Sequence, residues 1–225
     1  MHIGTVVKSD DGAIQVGILI GDARQPLYRH NGRTYVAARP GQSYSFVVDN
    51  STGGRLEVIT TVDGRNTLKN EPGDSQANHG LVIGPFDRYN FVGWRLDDFR
   101  VGEFVFGDPA SSVAALTTDD TSNVGVIGIA AYRERAMTVY RDGGNLGGRV
   151  YKGGGATRGG SVGTGMGAIQ SNYVGATAFY RSGDPVIMAV YYDTEEVLRA
   201  RGIIAPAGPN PFPGADTGYG RLTEL

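Results

Sequence analysis

Arg55-Leu-Glu-Val-Ile-Thr-Thr-Val-Asp-Gly-Arg65, then Gly80-Leu-Val-Ile-Gly-Pro85, Tyr89-Asn-Phe-Val-Gly-Trp-Arg95 and Val101-Gly-Glu-Phe-Val-Phe106 decide the fold class. These are four short runs of β-branched and aromatic residues. Asp63-Gly64, Gly84-Pro85 and Asp97-Asp98 separate them, and none has the i, i+3, i+4, i+7 spacing of an amphipathic helix. Trp94, the one tryptophan, sits in the third run. The stretch is therefore read as the centre of an antiparallel, two-sheet β-sandwich of jelly-roll type.

The flanking sequence extends this pattern. Ile3–Val7, Ala13–Ile20 and Thr34–Ala38 read as strands, and Tyr28–Gly32 reads as a polar connection turning at Asn31-Gly32. Ser43–Asp49 alternates, with Tyr44, Phe46 and Val48 on one face, which predicts a strand with one buried side. Val124–Tyr132 is apolar on both faces and predicts a central strand, with Gly125 and Gly128 marking a bulge or a close backbone approach. Ala136–Tyr140 is a further strand candidate beside it. Val174–Arg181 and Pro185–Asp193 read as a hairpin turning at Ser182-Gly183-Asp184. Thr194–Arg201 is the single helix: Thr194 or Asp193 caps it, Glu195 and Glu196 open it, Arg199 and Arg201 close it, and Gly202 follows. The expected core includes Phe46, Val58, Trp94, Phe104, Val126 and Ile187. One domain spans residues 1–204, with a glycine-rich loop at 141–167. An extended Pro/Gly tail follows at 205–225.

Composition excludes several classes of function. The net charge of −2 gives no basic nucleic-acid surface. There is no cysteine, hence no disulfide and no thiolate metal site. No apolar run approaches the length of a membrane span. The N-terminus lacks the basic and apolar regions of a secretory signal peptide, so synthesis in the cytosol is expected. Arginine outnumbers lysine 18 to 3, which suits interfaces where planar forks meet carboxylates, although a GC-rich genome yields the same bias.

Candidate chemistry is sparse. His2, His30 and His79 show no metal-pair spacing. His79, near Asp74 in the long polar loop 66–79, is the one candidate base; a solvated loop residue has the same sequence pattern. Gly154–Ser161 has the length of a phosphate loop but carries Gly160 where lysine belongs, and Gly163-Thr-Gly165-Met-Gly167 lacks a βαβ setting. Asp97-Asp98 and Asp119-Asp120 with Ser122 and Asn123 could hold calcium through oxygen, yet match no EF-hand loop. Asn50-Ser51-Thr52 is a formal glycosylation sequon. Tyr89, Phe91, Trp94, Tyr191, Tyr192 and Tyr219 could form a sugar-stacking platform or simply pack in the core. No catalytic, cofactor-binding or metal-ligating residue is assigned.

The runs quoted above, together with Asn123-Val-Gly-Val-Ile-Gly-Ile129, Val162-Gly-Thr-Gly-Met-Gly167 and Tyr191-Tyr-Asp-Thr-Glu-Glu-Val-Leu-Arg-Ala-Arg-Gly-Ile-Ile204, resemble a group of bacterial and phage-associated proteins. The resemblance covers about Tyr35 to Ile204 and implies the fold, with no activity or functional residue attached. The expectation is a non-enzymatic assembly protein whose partners are copies of itself or other structural proteins. Its most specific form is a virion component, either a head-decoration or a tail protein. Phe212, Tyr219 and Leu222 would anchor the tail on a neighbour. A carbohydrate-binding or adhesive module is the alternative, and a hydrolase with a loop-assembled site ranks below it.

Overall fold

The computed structural model describes residues 2–118, 121–135, 161–172, 174 and 176–205. In chain order the strands are β1 His2–Gly4, β2 Val7–Lys8, β3 Ile14–Ile20, β4 Ala23–Arg24, β5 Leu27–His30, β6 Arg33–Ala38, β7 Ser43–Asn50 and β8 Leu56–Val62. They continue as β9 Arg65–Asn66, β10 Leu81–Ile83, β11 Arg88–Phe91, β12 Gly93–Arg95, β13 Arg100–Gly107, β14 Val126–Glu134, β15 Gly163–Ser171 and β16 Arg181–Thr194. Two short helices, α1 Val113–Thr118 and α2 Glu195–Ala200, and one 3-10 turn, Pro109–Ser111, complete the described elements.

Two eight-stranded sheets face each other. Sheet I runs β1-β5-β6-β16-β14-β8-β10, with β9 on β8. Sheet II runs β12-β13-β7-β3-β2, with β15 on β13, β11 on β7 and β4 on β3. All pairings are antiparallel except β16 with β6, which run parallel from Tyr191↔Tyr35 to Thr194↔Ala38. The last strand is thus inserted between the N-terminal β5–β6 hairpin and β14.

The core lies where the inner faces meet. Phe46, Phe91, Phe104, Phe106, Tyr44 and Trp94 supply its aromatic centre, with Tyr44 and Phe106 stacked at 4.0 Å between ring centroids. Trp94, Phe46, Val58 and Phe104 are buried as expected. Val126 and Ile187 are not in the core. β14 and β16 are rotated by one residue relative to that expectation, so Ile127, Ile129, Met188 and Val190 face inward while Ile187 is 62% exposed. In a strand apolar on both faces, composition does not fix which set faces in.

Other differences are local. Tyr28–His30 belongs to β5, not to a connection, and Asn31 (φ 49°) with Gly32 (φ 77°) makes the tight turn to β6. β7 is covered on both sides: Val47 is buried as well as Phe46, and Arg24 lies over Gly17 to reach Asp49 at 2.8 Å. No hairpin turns at 182–184. These residues lie inside β16 as an irregularity, since Ala131 pairs with Val186 while Arg133 pairs with Ser182. Residues 176–180 form no strand. The end of the glycine-rich segment, Gly163–Gly167, is strand β15, where small residues admit Ser112, Ser111 and Val105 at close range. α1 has no counterpart in the sequence expectation. The Ser112 hydroxyl accepts from Ala115 N at 3.1 Å, and Thr117 donates back to the Val113 carbonyl. α2 follows the expectation closely: Thr194 Oγ1 accepts from Val197 N, and Gly202 stands at φ 70° beyond the helix. Leu198, Ile203 and Ile204 pack it onto Tyr28, Tyr35 and Ala37 of the outer face of sheet I.

Candidate functional site

A cavity of about 470 Å³ opens beside β8 and β10 and holds His79. Glu57, Leu68, Leu81, Tyr89, Thr177 and Phe179 form much of its wall. Its shape depends on how the polar loop after β9 is held. Arg181 at the start of β16 donates to Glu57 Oε2 at 2.7 Å, to the Gln76 carbonyl at 3.2 Å and to the Ala77 carbonyl. Its guanidinium stacks 4.1 Å over the Tyr132 ring, and Tyr132 Oη donates to the Ser75 carbonyl at 2.9 Å. Gly80 lets the loop rejoin β10 against β8; a Cβ there would fall 2.7 Å from Glu57 Cγ and 3.0 Å from the Val58 carbonyl. The chain is therefore anchored on both sides of His79.

His79 has the position of a base without its partners. Nδ1 lies 3.2 Å from Asn78 Oδ1, and Nε2 is buried with no hydrogen-bond partner among the described residues. Glu57 is committed to Arg181, and the Thr177 hydroxyl accepts from Arg55. Among the described residues the walls contain no serine. The arrangement can hold a small, partly apolar molecule, but among the described residues it assembles no nucleophile–base–carboxylate relay.

A second constellation lies inside the sandwich. Asp63 sits in the Asp63-Gly64 turn between β8 and β9 at φ 52° and is buried. Its Oδ1 accepts from Gly125 N at 2.8 Å and from Tyr192 Oη, and its Oδ2 accepts from Thr164 N at 2.6 Å. Thr164 Oγ1 then meets Tyr192 Oη at 2.6 Å and Tyr44 Oη at 2.8 Å. Burial pushes the Asp63 carboxyl up to about 6 in spite of these donors. Burial and the nearby Asp63 charge also raise both tyrosines. The cluster ties β7 and β15 of sheet II to β16 of sheet I and to the turn beside β14. It is sealed in the core, so its role is structural.

The remaining candidates disperse. Asp74 Oδ1 accepts from Gln76 N in a local turn. Asp97 pairs with Arg100 and caps Phe99 N, so Asp97-Asp98 is a turn. Asp119, Asp120, the Gly154–Gly160 run and Ala136–Tyr140 lie outside the described residues, as do Phe212, Tyr219 and Leu222. No group of three or more metal-ligating side chains occurs among the described residues. Gly163–Gly167 is a strand and not a dinucleotide turn. Phe91, Trp94 and Tyr192 are core residues and so cannot serve in a sugar platform. Asn50 is buried, its Nδ2 donating to the Gly54 and Gly84 carbonyls, so the sequon is spent on a turn. Arg181 and Asp63 went unnoticed in sequence: one is one arginine among 18, the other half of an ordinary Asp-Gly turn.

The class these features define is an all-β sandwich with a closed core and modest surface cavities. Comparison with protein-family models, with curated proteins and with solved structures gives no match. Among the described residues no helix is long and apolar enough to cross a membrane.

Proposed function

We propose that the protein is a non-enzymatic assembly subunit that pairs through the free edge of β15. The observation that carries this reading is the edge itself. Among the described residues β15 pairs only with β13, and its first residues are capped where Thr164 N meets Asp63. From Met166 to Ser171 it carries no charge and no proline. Met166 is 48% and Ile169 60% exposed, and Phe99 is exposed beside the end of the strand, its carbonyl accepting from Asn172 N at 2.6 Å. Edges that must stay single are blunted by lysine, proline or inward charge. This one has none of these and suits strand addition by a second copy or by another structural protein. The narrower version, a head-decoration or tail protein of a virion, draws on the resemblance over Tyr35–Ile204 alone. The test is light scattering of the full chain from low to high micromolar concentration beside Ile169→Lys. Concentration-dependent growth that Ile169→Lys abolishes supports the reading. A full chain that stays monomeric throughout, with no co-purifying partner, overturns it.

The hydrolase reading stands second because the 470 Å³ cavity holds His79, whose Nε2 has no hydrogen-bond partner among the described residues. It predicts turnover of an ester or glycoside panel that His79→Ala removes without loss of folding.

A further inference from the structure

We infer that the outer face of sheet I is a docking groove for the chain's own proline-rich segment Pro206–Pro213. The inference does not depend on the assembly reading. The groove, about 310 Å³, runs over β16, β14 and β8. Gly128 and Ala189 make its floor, Val126 and Ile187 line it, and Gly73 and Ser75 stand in its far wall. Its lining contains no charged residue. The floor is low for a physical reason: a Cβ on Gly128 would fall 2.5 Å from Thr61 Oγ1. On either side the outer face is already covered. Toward β8, Ala77 and Phe179 sit on Ile59, Ala130 and Tyr132. Toward β6, Leu198, Ile203 and Ile204 sit on Tyr28, Tyr35 and Ala37. The strip between them, which no described residue covers, is apolar and bounded by polar or covered surface, the signature of an interaction site.

The occupant is indicated by where the chain leads. Ile203 and Ile204 bring it to the β6 margin of this face, with the Ala205 carbonyl held by Arg199. The next eight residues, Pro-Ala-Gly-Pro-Asn-Pro-Phe-Pro, carry four of the ten prolines and no charge, matching the neutral lining. Between that covered margin and the groove, on β6 and β16, the Tyr35 and Tyr191 rings lie 5.6 Å apart, with Arg33 4.9 Å over Tyr191. Proline-rich segments dock on aromatic-lined grooves because the polyproline II form loses little entropy on binding. Crossing from β6 to β8 is three strand spacings, about 14 Å, and eight residues in that form reach about 25 Å. Thr61 and Asn123 at the far end offer side-chain donors to the segment's carbonyls. Tyr219 and Leu222 lie beyond the docked segment in sequence and remain available to a neighbouring copy.

The chain has no cysteine, so engineered pairs report cleanly. Full-length Ile187→Cys/Asn210→Cys is compared with Asn90→Cys/Asn210→Cys, Asn90 being exposed on β11 of the other sheet. We expect an intramolecular disulfide to form at least tenfold faster in the first pair, at a rate independent of protein concentration. Adding Ala189→Arg, at a half-buried outer position, should return that rate to the level of the second pair. An unchanged thermal transition in the triple variant excludes unfolding as the cause. Equal rates in the two pairs overturn the proposal. Faster disulfide-linked dimers in a mixture of the single variants Ile187→Cys and Asn210→Cys would assign the groove to a second copy's tail and overturn it as well.

Discussion

The two faces of the β14–β16 ladder are made from the same kinds of residue and do different things. Inward, Ile127, Ile129, Met188 and Val190 fill the space between the sheets. Outward, Val126, Gly128, Ile187 and Ala189 leave a groove. Both faces are apolar, and the difference is one of volume. Large side chains on one side make a core. On the other, Gly128 and Ala189 between Val126 and Ile187 keep a floor low enough for something else to lie on it. Hydrophobicity alone does not separate a face that packs from one that receives.

Substituting the same charge on the two faces is the most forceful way to break this comparison. Ile127→Asp buries an unpaired carboxylate and should cost about 4 kcal/mol or more, enough to unfold a marginal domain. Val126→Asp, one residue away on the half-buried outer face, should cost about 1 kcal/mol. Denaturant midpoints measure both, and similar losses would mean that the strand phase described here is wrong. The Asp63 cluster gives the next largest effect. Asp63→Ala leaves Gly125 N, Thr164 N and Tyr192 Oη without their acceptor and should cost about 3 kcal/mol.

The same carboxyl makes stability depend on pH. Asp63 titrates near 6 in the fold, above the ordinary value of 3.8, so between those limits the folded chain holds more protons than the unfolded one. Its contribution is complete below about pH 4 and is lost as the pH rises through 6, up to about 3 kcal/mol. Comparing the pH dependence of the denaturant midpoint with that of Asp63→Ala isolates it; a variant with an unchanged slope would refute the assignment. The smallest effects belong to the polar loop. His79→Ala and Asp74→Ala should shift stability by under about 1 kcal/mol and leave assembly by light scattering unchanged.

The sequence carried the sandwich because turn chemistry is local. Asn31-Gly32, Asp63-Gly64 and Thr194 with Gly202 name their own backbone conformations. The phase of β14 could not be read, since Val-Ile-Gly-Ile-Ala-Ala offers no polar residue to mark the outside. β15 was hidden for the opposite reason. Its alternating glycines look like a loop until Ser112 and Val105 are found where side chains on Gly163 and Gly167 would be. The walls of the His79 cavity come from segments more than a hundred residues apart, joined by Arg181 to Glu57. No spacing rule links such positions.

The insertion of β16 has a consequence for how the chain comes together. Sheet I is split in sequence: β1, β5 and β6 are made early, β8, β10 and β14 later, and the strand that joins the two groups is the last of all. Pairing Tyr35 with Tyr191 closes a loop of more than 150 residues, so contact order is high and folding should be slow. A nascent chain emerging from the ribosome holds two incomplete half-sheets with open edges, vulnerable to mispairing, until residue 194 is available. Closure of sheet I is therefore expected to wait until β16 has emerged.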